Sequence, residues 1–211
     1  MIAYFMDHRD MLLGAFFEHL WLVCETLFLS IVLASILSYI LLEYPKASQT
    51  VIQVFGAIYS IPSLALFALL IPFFGLGNAT AIPVLVAYNQ YLLIRNFMTG
   101  LTGVDASLVE AAVGMGMNRR QVVTKVRIPL AMPAILSGIR LSIISTTGIA
   151  TIAATINAGG LGKILLSGLR TMNEEKIAWG TILCVVIALA ADLLLKRFER
   201  ENTLLLSGAG K

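Results

Sequence analysis

Two sets of residues in this sequence are placed to do something other than pack. The first is a polar, basic island at residues 101–127, set between apolar stretches. Within it Glu110-Ala111-Ala112-Val113-Gly114-Met115-Gly116 precedes Ile128-Pro129, with Pro129 thirteen residues beyond Gly116. Asp105 or Ser107 is a cap for a helix whose first turn carries Glu110, an acid that the helix dipole favours there. Gly114 and Gly116 then allow a tight turn or a close approach. Asn118 caps a second helix, running from Arg119 to Lys125 and ending before Pro129. The chemistry of such a knob is mechanical: helix, glycine turn and helix present a surface for another protein to grip.

The second set consists of polar groups inside apolar stretches. Glu25 is either a functional carboxylate of a pathway or a side chain reaching the interface, and both readings stand. Asn89 and Gln90 need partners inside a bundle, as interhelical hydrogen bonds or as the lining of a polar path. Arg140 is placed to snorkel to the cytoplasmic surface, and Asp192 to reach water or to pair with Lys196 one turn on. Cys24 and Cys184 lie in apolar runs with no ligand cluster, and read as small buried hydrophobes. No catalytic residue and no metal site is expected.

The elements that position these groups are not those of a water-soluble globule. The chain has 211 residues, 58% hydrophobic and 13% charged, with a mean hydropathy of +0.88. Soluble domains carry about a quarter charged residues. Backbone polar groups cannot go unpaired in lipid, and the period-2 alternation of a membrane barrel is absent. The expected fold is therefore an all-α integral membrane protein with about five transmembrane helices. They are read at residues 20–42, 51–76, 81–98, 130–156 and 177–195, the third short and polar around Asn89 and Gln90. Pro45 breaks the helix after the first span, and Pro62 and Pro72 lie inside the second, where proline kinks a helix. Gly148, Gly159, Gly160 and Gly162 permit close packing or mark a bend. Residues 1–19 carry Asp7, His8, Arg9 and Asp10 rather than the basic start of a cleavable signal peptide. They are expected to lie as an amphipathic segment on the outer interface.

Charge sets the direction. Arg119, Arg120, Lys125 and Arg127, with Lys46 and Arg95, fall on the same side as Lys196, Arg197 and Arg200. On the other side Arg9, Lys163, Arg170 and Lys176 are partly balanced by Asp7, Asp10, Glu18, Glu174 and Glu175. The positive-inside rule then puts the N-terminus outside and the C-terminus in the cytoplasm. The net charge of +3 and pI near 9.0 are accounted for by topology, so lipid is expected as a partner and nucleic acid is not. Residues 201–211 are expected to form a C-terminal tail, disordered over 207–211. Its closing Ser207-Gly208-Ala209-Gly210-Lys211 lacks the first glycine of a phosphate-binding loop, because that position is Leu205.

Glu110-Ala111-Ala112, Gly116 and Val126-Arg127-Ile128-Pro129 resemble the EAA signature of ABC importer permeases, with Val126 and Ile128 in place of the usual isoleucine and leucine. Asn157-Ala158-Gly159-Gly160-Leu161-Gly162, then Gly168-Leu169-Arg170-Thr171-Met172-Asn173 and Trp179, are similar to the permeases for osmoprotectant quaternary amines: glycine betaine, carnitine and choline. Methionine-type permeases share the glycine-rich turn, and the continuation through Met172-Asn173 favours the quaternary-amine group. The resemblance covers about residues 20–200. It implies a type I ABC importer permease in a bacterial inner membrane, with a coupling region at about 101–130.

The same resemblance implies that Glu110, Ala111, Ala112, Gly114, Gly116 and Pro129 couple the chain to an ATPase. Its implied partners are cytoplasmic ATP-binding subunits, a second permease chain (identical or homologous) and a separate extracytoplasmic substrate-binding protein. No cofactor is expected on this chain: ATP and Mg would sit on the partner, and this chain is not an enzyme. A quaternary ammonium has no N–H to hydrogen-bond and is held against aromatic faces. Tyr59, Tyr88 and Tyr91, with Phe55 and Trp179, therefore join Glu25, Asn89 and Gln90 as candidate pathway residues, packing or interface anchoring being the alternative for each. Another cargo, a methionine-like amino acid or a betaine thiol, is the nearer alternative. A non-ABC carrier is the more distant one, and the inverted repeats and intramembrane charge pairs of a carrier are not visible in the sequence.

Overall fold

The computed structural model describes the backbone of residues 1–206 and the side chains of residues 1–197. Its helices are α1 (Ile2–Leu41), α2 (Pro45–Tyr59), α3 (Ser63–Phe74), α4 (Asn78–Thr102), α5 (Ala106–Gly114), α6 (Arg119–Val122), α7 (Ile128–Ile152), α8 (Leu161–Thr171) and α9 (Glu174–Leu206). A π turn, Val123–Arg127, joins α6 to α7, and a 3-10 turn, Ala153–Ile156, follows α7. No strand occurs among the described residues.

Residues 1–19 are not a separate interfacial segment. They are the first turns of the 40-residue α1, kinked at His8, and the whole helix is ~60 Å long against a hydrocarbon core of ~30 Å. Their apolar stripe is real, but protein covers it. Tyr4, Leu12 and Ala15 are buried with Leu161 and Ile164 of α8 and Ile187 of α9.

The second expected span is two helices. Pro45 starts α2 at a position where its missing N–H is not needed. The helix ends at Tyr59, and α3 leaves at 97° to it. Proline disfavours helical backbone in the residue before it, so Ile61 cannot continue α2, and Pro62 stands as the extended cap of α3. Pro72 remains inside α3.

Helix α4 is the centre of the bundle and packs against α1, α2, α3 and α7. Lipid is as apolar as leucine, so close contact and internal hydrogen bonds specify such packing. At the α4–α7 crossing a Cβ on Gly100 would come within 2.8 Å of the Ala134 side chain, and one on Gly138 within 2.7 Å of Asn96. Three helical rods are long and apolar enough to cross a membrane: α1, Arg119–Ile156 and Glu174–Arg197. The bent pair α2–α3, taken as one span, makes four. The 25-residue α4 is less apolar because it carries Asn89, Gln90, Arg95 and Asn96, of which Asn89 and Gln90 are turned inward, each 1% exposed.

The second helix of the knob does not stop before Pro129. It runs through the π turn, where the Ile128 N–H reaches back five residues to the Val123 carbonyl, into α7 as one 38-residue rod. Wider turns of this kind absorb a local misfit, and Pro129 enters at the start of α7, where proline is tolerated. At the far end, α9 continues through residues 201–206, so these are helix where a tail was expected. Residues 207–211 and the reading made for them lie outside the described residues.

Candidate coupling knob and polar path

The knob is built by local rules. Asp105, not Ser107, caps α5: its side chain accepts from the Ser107 N–H at 2.9 Å. Bonds from the Ser107 backbone and hydroxyl hold the Asp105 carboxyl below its ordinary range. At the other end Met117 N–H bonds the Ala112 carbonyl at 3.1 Å and Gly116 N–H bonds that of Val113 at 2.9 Å. These two bonds form a Schellman motif with Gly116 in the left-handed position, φ +85°. A Cβ on Gly116 would meet nothing within 4 Å, so glycine is required for backbone shape and not for space. Gly114 has ordinary helical geometry with open space around it, so it makes neither the turn nor a close approach within the chain. Asn118 and Gln121 then form a reciprocal capping box that starts α6.

Ala112 is the buried face of α5, whereas Glu110, Ala111, Gly114 and Gly116 are exposed and Pro129 is half-buried. Leu108, Val113 and Met115 are exposed large apolar side chains on the same knob. Glu110 has no hydrogen bond or ion pair among the described residues. The knob thus offers a free acid, small residues and apolar side chains outward. Arg119 ties its second helix to the end of α1, with Nη1 2.6 Å from Glu43 and the guanidinium 4.9 Å from the centre of the Tyr39 ring. Arg127 donates to the Leu101 carbonyl at 2.6 Å, closing the end of α4. The sequence presented both arginines only as topology charges.

Of the pathway candidates, Asn89 and Gln90 are tied between helices. Asn89 exchanges hydrogen bonds with Thr146 of α7 at 2.9 and 3.0 Å and donates to Ser30 of α1 at 3.2 Å. Gln90 donates to the Ser30 carbonyl at 3.2 Å. Tyr59, Tyr88 and Tyr91 come together beside the α2–α3 break, with ring centres 5.6 Å and 5.3 Å from that of Tyr59. Tyr88 is buried and donates to the freed Ile61 carbonyl at 2.7 Å, while Tyr59 and Tyr91 are half-exposed. Arg95 lies over the Tyr91 ring at 5.7 Å and donates to its hydroxyl. Phe55 packs with the α1–α4 core, and Trp179 bonds the Met1 carbonyl. Glu25 stands apart, exposed on α1 between the exposed Trp21 and Phe28. Cys24 beside it is exposed as well and not the buried hydrophobe expected; Cys184 is partly buried.

Two further features went unread in the sequence. Arg140 turns to α9 instead of snorkelling: its Nε lies 3.2 Å from Asp192, whose other oxygen holds Lys196 at 2.6 Å. This is a charge pair inside the spans. The glycine-rich turn, in turn, clamps α1. Gly160 N–H and Lys163 both bond Glu18, at 2.9 and 3.2 Å, and the buried His19 donates to the Thr147 carbonyl at 3.2 Å. Gly159 and Gly160 have φ of +85° and +68°, and Cβ atoms there would strike Glu18 and His19. Gly148, by contrast, neither bends α7 nor meets a neighbour.

The family model described as binding-protein-dependent transport system inner membrane component matches residues 27–201. The glycine betaine/carnitine/choline transport system permease protein OpuCB of Bacillus subtilis (strain 168) is 34% identical over 203 residues, covering 96% of this chain and 94% of that one. The ergothioneine transport permease/ergothioneine binding protein EgtU of Helicobacter pylori (strain G27) is 36% identical over 159 residues, covering 75% of this chain and 29% of the longer protein. Among solved structures, the MetNI methionine ABC transporter in an inward-facing conformation superposes with a TM-score of 0.84 at 23% identity, covering 93% of this chain and 98% of that one. The fold is accordingly that of a type I ABC importer permease. The family works with ATP-binding subunits and a substrate-binding protein. This chain belongs to the binding-protein-dependent transport system inner membrane component family and is a multi-pass permease of the bacterial inner membrane.

Proposed function

We propose that this chain is half of the membrane path of an ATP-driven importer for osmoprotectant quaternary amines: glycine betaine, carnitine and choline. The observation that carries the coupling role is the unbroken rod from the Gly116 turn through the π turn to the end of α7. A knob moved by a partner at one end of a rigid helix displaces the span at the other, and rigid-body motion of this kind switches access. Glu110, Ala111, Ala112 and Gly114 form the gripped face, Gly116 sets its shape, and Pro129 marks the joint with α7. ATP and Mg belong to the partner ATPase.

The N-terminus is outside, the C-terminus cytoplasmic, and α4 is the third of five spans. Ser60, Ile61 and Pro62 are exposed at the α2–α3 break. Irregular backbone at membrane depth is tolerated only against protein or a watery cavity. That supports a second permease chain facing the break across the path. The cluster of Tyr59, Tyr88 and Tyr91 at this break offers aromatic faces suited to a passing quaternary ammonium. Asn89 and Gln90 hold the bundle together behind it.

The test is ATPase activity and uptake by the chain reconstituted with its ATP-binding subunits and binding protein, titrated with glycine betaine, choline and carnitine. Stimulation by one of them is expected, and coupled activity with none of them would remove the cargo while leaving the importer. The 36% identity to EgtU favours a second reading, in which the cargo is ergothioneine, itself a betaine carrying sulfur. Stimulation by ergothioneine alone would select it.

A further inference from the structure

The cytoplasmic end of α1 borders two neighbouring cavities that share wall residues. One, of about 200 Å³, is apolar and lies between α1, α4 and α7, walled by Phe97, Met132, Ile135 and Ile139. The other, of about 380 Å³, lies under the coupling knob, where Arg119, Arg127 and Glu43 are set among apolar residues of the knob, Val109, Val113 and Met117. Leu42 and Val123 line both. Along α1 the wall changes character in order, from Ile31 through Ser35 and Ser38 to Tyr39, and then to Glu43 with Arg119 bound to it. That stretch of helix covers ~18 Å, close to one leaflet of a ~30 Å hydrocarbon core plus its polar boundary. Ser38 is 1% exposed and its hydroxyl has no hydrogen-bond partner, although it lines the apolar cavity. Buried hydroxyls are seldom left so.

We propose that the two neighbouring cavities together hold one anionic phospholipid of the cytoplasmic leaflet. An acyl chain fills the apolar slot, an ester oxygen of the glycerol accepts from Ser35 at its rim, and the phosphate sits at Arg119 and Arg127. The graded lining fits an amphiphile aligned with α1, which a soluble solute or a uniformly apolar helix would not match. The sign of the headgroup follows from two guanidinium charges against the single Glu43 carboxylate. Each guanidinium has five donors and only some are committed, those of Arg119 to Glu43 and the Tyr39 carbonyl, and one of Arg127 to the Leu101 carbonyl. Basic pockets between spans at the cytoplasmic face suit anionic headgroups. Lodged between the knob and the ends of α1 and α4, the lipid stiffens the joint through which the knob moves α7. The leaflet assignment rests on the orientation proposed above; the site itself does not depend on the cargo.

The experiment is native mass spectrometry of the permease assembled with its ATP-binding subunits, titrated with dioleoyl phosphatidylglycerol, dioleoyl phosphatidylcholine and soluble glycerol phosphate. The expected result is one saturable phosphatidylglycerol per permease chain, with phosphatidylcholine and glycerol phosphate each weaker by about tenfold or more. Ile135→Trp fills the slot and Ser35→Phe blocks its exposed rim; both should lower phosphatidylglycerol affinity in complexes that still assemble, and the rim variant keeps the test open if the core variant fails to fold. Equal binding of the two lipids, indifference to Ser35→Phe, or competition by glycerol phosphate at the lipid's own concentration would each overturn the site. So would lipid binding by the free permease that vanishes on assembly, since a protein chain would then be the occupant. None of these readouts requires transport, so they can fail while the importer reading stands.

Discussion

At the scale of single residues, the two glycines of the knob make opposite demands. Gly116 sits at φ +85° in open space, so Gly116→Ala adds backbone strain of about 1–2 kcal/mol without a clash. Uptake per ATP should fall in that variant, and Gly116→Asn, which tolerates the left-handed region better, should recover part of it. Gly114→Ala should leave folding intact or slightly firmer, because alanine favours a helix interior. A loss of uptake in Gly114→Trp with normal insertion would then report contact with the ATPase, and normal uptake would remove Gly114 from that surface. Asp105 carries the pH prediction. Its carboxyl is held below the ordinary carboxylate range by Ser107, so the charged cap is at full strength above that range and fades as pH falls through the depressed value. Asp105→Asn keeps an acceptor without the charge. Protection of the α5 amides, taken relative to their intrinsic exchange at each pH, should fall in acid for the parent protein and change less in that variant.

At the scale of elements, the pair between α7 and α9 gives the most direct test of packing. Arg140 and Asp192 are about one-fifth exposed, and Asp192 is shared between Arg140 and Lys196. A cycle of Arg140→Gln, Asp192→Asn and the double variant should show a coupling of about 1–2 kcal/mol in thermal stability; additive losses would mean that Lys196 alone serves Asp192. Much of this level was legible beforehand. The caps at Asp105 and Asn118, the glycine turn and most of the apolar stretches follow from local chemistry that tertiary contacts do not alter. The failures share a different cause. Residues 1–19 read as interfacial because sequence shows an apolar stripe and not what covers it, and here α8 and α9 do. The rod through Pro129 was hidden because a wider turn can pass a proline that would end an ordinary helix. The Arg140–Asp192 partnership needs two helices far apart in sequence.

At the scale of the whole molecule, the chain is an incomplete object. Its α2–α3 break is exposed, its knob turns apolar side chains and an unpaired acid outward, and α1 leaves Glu25 on an open face. In the proposed assembly a second permease chain and an ATPase cover these surfaces. Ser60→Cys in an assembled transporter whose Cys24 and Cys184 are replaced by serine should therefore react with a membrane-impermeant maleimide, and a residue sealed from the reagent in every state would place the break away from the path. The central claim is that the knob drives α7 as one rod, and one comparison tests it most directly. ATP hydrolysis and uptake would be measured together in proteoliposomes for the parent transporter and for a variant with a three-glycine insertion between Val122 and Val123. The rod account predicts assembly and ATP hydrolysis with uptake largely abolished. Uptake per ATP equal to that of the parent would contradict it.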